Sequence, residues 1–114
     1  MLNKKNRISN RQLIEKLFEK GRLYKNTYFI FRFLPSTEPV SKFAIIVSKK
    51  VSEKAVERNQ LRRQVSEAIR LNTSILKTNI VSLVIMKSNV EKANYEELNK
   101  GITDFFNQHK LHEQ

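Results

Sequence analysis

Residues 80–86 form a run of seven residues with no charge and only one polar side chain, Ser82. A strand with one solvated face alternates apolar and polar residues, whereas a nearly continuous apolar run is typical of a strand covered on both faces. The chain therefore requires a sheet with this strand near its centre. Residues 43–47 predict a second buried strand, and the helical segment between the two makes them a parallel pair within a mixed sheet.

The first 34 residues predict a helix followed by two strands. Ser9 and Gln12 have the spacing of a capping box at a helix start, and Gly21 stands where a glycine ends a helix. An apolar stripe marks the buried face of this helix: Leu13, Ile14, Leu17 and Phe18. Residues 22–24 and 27–34 then predict strands. Three aromatic residues share one face of the second strand: Phe29, Phe31 and Phe33.

A last helix follows the buried strand. Asn94 and Glu97 repeat the capping spacing, and Gly101 predicts a local weakness of about 1 kcal/mol relative to alanine. Its apolar side contains Leu98, Ile102, Phe105 and Phe106. With a further helix over residues 55–71, the chain predicts one domain over residues 1–114, with a basic, partly flexible N-terminus at residues 1–8. The fold class is α+β, a two-layer sandwich of one mixed sheet of about four strands with three helices.

The charge of the chain points to a polyanion as partner. Lys and Arg total 22 against 11 Asp and Glu, so the net charge is +11. Such an excess of cations repels itself unless an anion compensates it, which makes nucleic acid the leading candidate and an acidic membrane surface the second. The absence of cysteine excludes thiolate metal sites and a cysteine nucleophile. With no membrane span and no signal peptide in the sequence, we expect a cytoplasmic protein.

The helix over residues 55–71 carries its cations on one flank. At about 100° per residue, an apolar side faces the sheet: Leu61, Val65, Ala68 and Ile69. One flank contains Arg58, Asn59, Arg62, Arg63, Ser66 and Arg70, and the other contains Glu57, Gln60, Gln64 and Glu67. Arginine grips phosphate with two hydrogen bonds, so the first flank predicts contact with an RNA or DNA backbone. Lys49, Lys50 and Lys54 extend this surface, and a merely solvated charged face is the alternative.

Other site chemistry is sparse in the sequence. His109 and His112 lie three residues apart without a suggestive acidic partner, which favours an exposed pair over a metal site or a general base. Only Gly21 and Gly101 are glycines, so no phosphate-cradling glycine loop is present. Phe18 and the strand aromatics fit either core packing or the stacking of unpaired bases.

Two consecutive segments resemble the signature of the bacterial ribonuclease P protein family. They are Val47-Ser48-Lys49-Lys50-Val51 and Ala55-Val56-Glu57-Arg58-Asn59-Gln60-Leu61-Arg62-Arg63. In that family a strand that ends in Ser-Lys-Lys leads into a helix that opens Ala-Val-x-Arg-Asn-Arg. The opening Asn6-Arg7-Ile8, the helix that closes on Lys20-Gly21, and the start Asn94-Tyr95-Glu96-Glu97-Leu98 also match in order.

The resemblance implies a left-handed crossover between the parallel strands and an RNA partner, ribonuclease P RNA, that contains the metal-dependent active site. The protein would bind that RNA one to one as a monomer and help it remove the 5′ leader of precursor tRNA. Mg²⁺ is then expected through the RNA, with no cofactor held by a protein motif. Matched position by position, the resemblance implies that Arg58, Asn59 and Arg63 would belong to the basic-helix contact. By the same resemblance, the leader cleft would be bordered by Phe18, Ile14, Arg32, Arg62 and Ser66, with Lys49 and Lys50 nearby.

This chain departs from the family pattern at several positions. Gln60 replaces the second Arg of the helix motif, and Ser66 occupies a position that is usually basic. Ile14 and Arg32 replace aromatics of the cleft, which exchanges stacking for apolar contact and for charge. Glu53 and Lys54 together replace a Gly-Asn pair before the helix.

Three other functions compete with this interpretation. A structured-RNA-binding protein of ribosomal type has the same charge and periodicity, and only the ordered motif separates the two. A DNA-binding regulator with helix 55–71 in a major groove needs a partner helix just upstream, where a strand and Ser48-Lys49-Lys50 stand instead. A free-standing nuclease needs an acid/base or metal cluster that the sequence lacks.

Overall fold

A computed structural model describes the backbone of residues 2–112 and the side chains of residues 2–108. Three α-helices and four strands follow one another along the chain. They are α1 (Arg11–Lys20), β1 (Arg22–Lys25), β2 (Phe29–Pro35), β3 (Lys42–Ile46), α2 (Ala55–Asn72), β4 (Ile80–Met86) and α3 (Tyr95–His112). Short 3-10 helices lie at Lys4–Asn6, Thr73–Ile75 and Ser88–Lys92.

The four strands form one mixed sheet in the order β1-β2-β4-β3. β2 pairs with β1 and β4 antiparallel, whereas β3 pairs with β4 in parallel, with Phe43 opposite Ser82. The predicted α+β class, the mixed sheet and the central position of strand 80–86 are therefore confirmed. α2 joins the parallel pair, and the hand of that crossover stays a prediction.

The prediction that strand 43–47 is buried is confirmed at Phe43 and Val47, whereas the three residues between them are half-buried. β3 is an outer strand of the sheet, and Phe43 is its one buried residue. Its free edge is met by the N-terminal segment, which we define as residues 2–8. Arg7 forms a parallel bridge with Phe43, and the amide of Ile8 donates to the carbonyl oxygen of Phe43 at 3.0 Å. Apolar composition alone does not distinguish an outer strand from a central one.

The two faces of the sheet have different covers. α2 and α3 pack on the face that contains the phenylalanines of β2, where the rings of Phe31 and Phe105 stack with centroids 4.0 Å apart. α1 lies on the opposite face, where Leu17 packs with Val81 and Leu83 of β4. Successive side chains of a strand point to opposite faces of the sheet, so the strands contribute to two separate apolar clusters.

The first helix begins one residue later than predicted. Asn10, and not Ser9, is its N-cap, because its Oδ1 accepts from the amides of Gln12 at 2.8 Å and Leu13 at 3.4 Å. Gly21 ends the helix as predicted, but with extended backbone (φ −65°, ψ 145°). Its lack of a side chain matters for space, since an added Cβ would collide with the carbonyl oxygen of Leu17.

The start of the last helix is a reciprocal capping box, as predicted. The amide of Glu97 donates to Oδ1 of Asn94 at 2.8 Å, and the amide of Asn94 donates to Oε1 of Glu97 at 3.2 Å. The predicted apolar side is buried through Leu98, Ile102, Phe105 and Phe106. α3 therefore packs its apolar side on the larger apolar cluster and shields it from solvent.

Candidate nucleic-acid interface

The N-terminal half of α2 carries the predicted cations in two environments. Arg58 and Arg62 are half-buried, whereas Asn59 and Arg63 are exposed. The difference arises because Arg58 and Arg62 lie above the buried positions Val65 and Ile69 on the sheet-facing side, one to three turns closer to the helix start. The sequence predicted a single flank, and the structure divides it into an inner pair and an outer pair.

Arg58 holds the loop that precedes α2. Its Nη1 donates to the carbonyl oxygens of Ser52 and Glu53, each at 2.9 Å. Both bonds come from one nitrogen of a group with five N–H donors, so Nη2 and Nε still have donors for a phosphate. The side chain of Arg58 therefore fixes the loop before α2 and also contributes to the cationic surface.

Arg62 and Asn59 are positioned against each other. Nη1 of Arg62 donates to Oδ1 of Asn59 at 2.9 Å, across one turn of the helix. This bond fixes the planar guanidinium and leaves the two N–H donors of the exposed Asn59 amide for other acceptors. Two predicted RNA-binding residues thus form one preorganised unit.

At the C-terminal end of the helix, the predicted separation of Arg from Glu is incomplete. Arg70 is bound by both carboxylate oxygens of Glu67, through Nε at 3.1 Å and through Nη2. The hydrogen bond from Arg70 lowers the pKa of Glu67, and the same bond raises the pKa of Arg70. The pair is neutral as a unit, so Arg70 should attract a phosphate less strongly than Arg63 does.

The predicted lysines lie around the loop between β3 and α2. Lys49 and Lys50 are exposed in a turn that is anchored by buried Val51, whose amide donates to Ser48 O at 3.1 Å. Lys54 is exposed and makes one long ion pair, 3.9 Å from Nζ to Oε1 of Glu57. A pair at this distance on the surface contributes little, and Lys54 stays available as a cation.

The residues predicted for the leader cleft fall into two groups. On the α1 face, Phe18 is 47% exposed and Ile14 is half-buried. Arg32 lies beside the end of α1, with Nη1 3.5 Å from the carbonyl oxygen of Gly21. Arg62 and Ser66 belong to a depression of about 200 Å³ on the α2 side of β3. Ile8 packs in the cluster under α1 and also lines this depression, so it stands between the groups.

The depression contains one cation that the sequence reasoning missed. Its walls are formed by α2, β3 and the N-terminal segment, and Arg7 lines it together with Arg62 and Ser66. Arg7 was visible only as part of the matched opening Asn6-Arg7-Ile8. Nothing in its local sequence shows that it lies beside α2.

The open question about the aromatics is decided by burial. Phe29 and Phe31 are fully buried and Phe33 is 7% exposed, so these three belong to the core. Phe18 is the aromatic of the predicted set whose ring is accessible to a base. A single accessible ring fits one stacking contact, which contributes about 1–3 kcal/mol in single-strand binding.

Other kinds of site are not built by the described residues. Among them, no group of three or more His, Cys, Asp and Glu side chains lies close enough to hold a metal ion. Within the same part of the chain, no helix is both long and apolar enough to cross a membrane. The side chains of His109 and His112 lie outside the described residues.

Fold and surface together define a small basic α+β protein with a cationic surface along one helix. A family model described as Ribonuclease P matches residues 2–110. The ribonuclease P protein component of Pseudanabaena sp. is 33% identical over 112 residues, which is 97% of each chain. That of Desulfatibacillum aliphaticivorans is 39% identical over 84 residues, 74% of this chain and 70% of the relative.

Solved structures agree on the fold. The ribonuclease P protein of Thermotoga maritima has a TM-score of 0.79 at 24% identity, covering 90% of this chain and 96% of that chain. A mutant Staphylococcus aureus ribonuclease P protein has a TM-score of 0.80 at 22% identity, covering 89% and 85%. This chain belongs to the bacterial ribonuclease P protein family.

Proposed function

We propose that this protein is the subunit that holds RNA in ribonuclease P, while the RNA subunit performs the cleavage. The outer face of α2 would bind the catalytic RNA, and the surface beside α1 would bind the 5′ leader of precursor tRNA. The observation that carries the proposal is the preorganised cationic set at the start of α2, in which Arg58 and Arg62 are fixed by hydrogen bonds and Arg63 is exposed.

The division of labour follows from the chemistry of the side chains. Cationic arginine and lysine side chains neutralise phosphates and position a strand, but a cation has no free lone pair with which to bind a metal ion or to act as a general base. We therefore place Mg²⁺ on the RNA and assign the protein a role in binding and orientation. One copy of the protein would meet one RNA, in the cytoplasm, where precursor tRNA is processed.

The leader surface would combine three kinds of contact. Phe18 offers a ring for stacking, Ile14 offers an apolar contact, and Arg32 offers a cation beside the end of α1. These contacts depend little on base identity because every base has a π-face and every linkage a phosphate. A leader surface of this kind accepts many leader sequences.

The test is cleavage of a precursor tRNA by a bacterial ribonuclease P RNA at low Mg²⁺, with and without the protein. We expect strong stimulation that drops in Arg58→Ala and Arg62→Ala. In RNA binding, Arg63→Ala should reduce the salt slope by about 1. Lys77→Ala, which removes one exposed cation from the loop before β4, is the matched control and should leave stimulation near the parent value.

Two results count against the proposal. Tight, salt-sensitive RNA binding without stimulation would indicate a structured-RNA-binding protein of another kind, such as the ribosomal type. An equal loss of stimulation in Lys77→Ala and Arg62→Ala would indicate that overall charge, and not the α2 surface, is responsible.

A further inference from the structure

Strand β1 has one face that packs in the core and one that is open. Tyr24 points to the face under α3, where its ring centroid lies 5.9 Å from that of Phe31 and 5.6 Å from that of Phe105. Because successive side chains of a strand alternate, Leu23 and Lys25 point to the opposite face. On that face α1 packs over β2 and β4, while Leu23 is 49% exposed and Lys25 is exposed. An apolar side chain and a cation are therefore neighbours on an open part of the sheet.

Arg32 connects this part of the sheet with the end of α1. Leu23 and Arg32 are opposite each other in the antiparallel pair of β1 and β2, so their side chains lie on the same face. Nη1 of Arg32 is 3.5 Å from the carbonyl oxygen of Gly21, and Phe18 precedes Gly21 by less than one helical turn. The surface proposed for the leader therefore continues from α1 onto β1.

The chemistry of this extension fits a single-stranded nucleotide. Among the described residues, no carboxylate lies within ion-pair distance of Lys25 or Arg32, so both cations are available to phosphates. A single exposed leucine is ordinary on a protein surface, but Leu23 lies beside both of these cations. An unpaired nucleotide presents the matching pair of groups, a base with an apolar face and a charged phosphate.

We propose that Leu23 and Lys25, together with Arg32, form a second leader subsite, which holds a nucleotide farther from the cleavage site than the nucleotides at α1. Leu23 contacts the base, Lys25 neutralises the phosphate, and Arg32 is shared with the surface beside α1. The order follows from the sheet, since β3 leads into α2 at one edge and β1 is the opposite edge. This assignment of the occupant rests on the proposed function, in which α2 meets the catalytic RNA.

The subsite makes binding depend on leader length. A leader that ends before β1 cannot contact Leu23 or Lys25, whereas a longer leader gains both contacts. Because every base has a face and every linkage a phosphate, the gain should depend on length more than on sequence.

The test measures how tightly the holoenzyme, assembled from this protein and a bacterial ribonuclease P RNA, binds precursor tRNAs whose leaders grow by one nucleotide at a time. In the parent, affinity should rise with leader length and become constant once the leader extends past β1. In Leu23→Thr and Lys25→Gln it should become constant at a shorter leader, and the longest leaders should bind several-fold more weakly than in the parent. Threonine is a good strand residue, so the first variant keeps the conformation of β1.

Two further variants separate the subsite from general effects. Arg22→Gln is the matched control for Lys25→Gln, because it removes an exposed cation of the same strand from the opposite face. For long leaders, Lys25→Gln should reduce the salt slope by about 0.7, the value for one phosphate of a single strand, and Arg22→Gln should not. Leu23→Phe should bind long leaders several-fold more tightly than the parent, a gain that a misfolded variant cannot produce.

Three results would overturn these inferences in different ways. Equal binding of long leaders by the parent, Leu23→Thr and Lys25→Gln would overturn the subsite and leave the proposed function standing. A loss of the same size at every leader length would also overturn the subsite, because it would indicate contact with the catalytic RNA or a disturbed fold. If the protein does not raise the affinity of the catalytic RNA for any leader, the proposed function fails and the subsite fails with it.

Discussion

Gly101 lies against the ring of Phe29, and a β-carbon added to the glycine would stand 2.8 Å from both Cδ2 and Cε2 of that ring. The two residues connect α3 to β2 at a point where Asn26 also binds α3, through a hydrogen bond of 3.0 Å from its Nδ2 to the carbonyl oxygen of Gly101. The glycine that the sequence suggested as a weak point in the helix therefore permits a close approach of α3 to the sheet.

Gly101→Ala should destabilise the protein, although the same change in an open helix stabilises by about 1 kcal/mol. Phe29 is fully buried, so its ring cannot move away freely, and overpacking of this kind costs about 1–3 kcal/mol. The free energy of unfolding in urea measures the effect. Asn107→Ala, at an exposed position of the same helix, is the control and should stabilise slightly. A gain in stability for Gly101→Ala would contradict the packing described here.

Glu67→Gln should strengthen RNA binding. The change removes the negative charge that neutralises Arg70, so the guanidinium becomes available to a phosphate. The salt slope of binding should therefore steepen by about 1. Because Arg70 lowers the pKa of Glu67, mild acid leaves the pair intact, and the substitution is the direct way to break it. Fluorescence anisotropy over a salt series measures the slope. Glu15→Gln, which breaks the Arg11 pair on α1, is the charge-matched control, and an equal effect there would exclude a specific role for Arg70.

Asn10→Ala should cost about 1 kcal/mol of stability, the usual value of an N-cap side chain. The side chain of Asn10 satisfies two amides at the start of α1, which water would have to satisfy in the variant. Ser9→Ala is the adjacent control and should be nearly neutral. Thermal unfolding of both variants measures the difference, and a larger loss for Ser9→Ala would move the cap back to the position that the sequence suggested.

The pair Tyr28 and Glu97 predicts a dependence on alkaline pH. The hydroxyl of Tyr28 donates to Oε2 of Glu97 at 2.9 Å, and this bond raises the pKa of Tyr28 above 10.0. A raised folded pKa means that the stabilisation is fully present below the unfolded pKa and is lost as pH rises through the folded one. Burial raises the pKa of Tyr24 independently of Glu97.

Ultraviolet titration of the phenolate measures this effect. Glu97→Gln should shift one tyrosine transition to lower pH, because the carboxylate charge that opposes ionisation is gone while glutamine still supports the capping box. Glu96→Gln is the control, since its carboxylate makes no hydrogen bond with the described residues. If the two variants titrate alike, the Tyr28–Glu97 bond does not hold in solution.

Several elements could be predicted well because their signals are local. The apolar run of β4 and the capping box at Asn94 and Glu97 concern residues that are close in sequence, and both were confirmed. The start of α1 was wrong by one residue because Ser9 and Asn10 are both good caps, and backbone geometry decides which one is used. β3 looked like β4 in composition, and only strand order shows that it is an outer strand.

The candidate site divides in the same way. The presence of cations on α2 follows from helix periodicity, but the structure divides Arg58, Asn59, Arg62 and Arg63 into a half-buried pair and an exposed pair. That Arg58 binds the loop carbonyls, that Glu67 neutralises Arg70, and that Arg7 reaches the depression beside Ser66 could not be read from the pattern. Each of these depends on a side-chain rotamer or on a contact between distant segments.

The sequence by itself determined the charge of this protein, its α+β class and the helix that carries its arginines. These properties depend on composition and on interactions between residues a few positions apart, which the order of amino acids specifies directly. Only the tertiary structure decided that Gly101 meets Phe29 and that Arg7 shares a depression with Arg62. Such pairs are brought together by the packing of whole elements, because the burial of apolar surface selects the arrangement of the chain and not any signal in the paired residues.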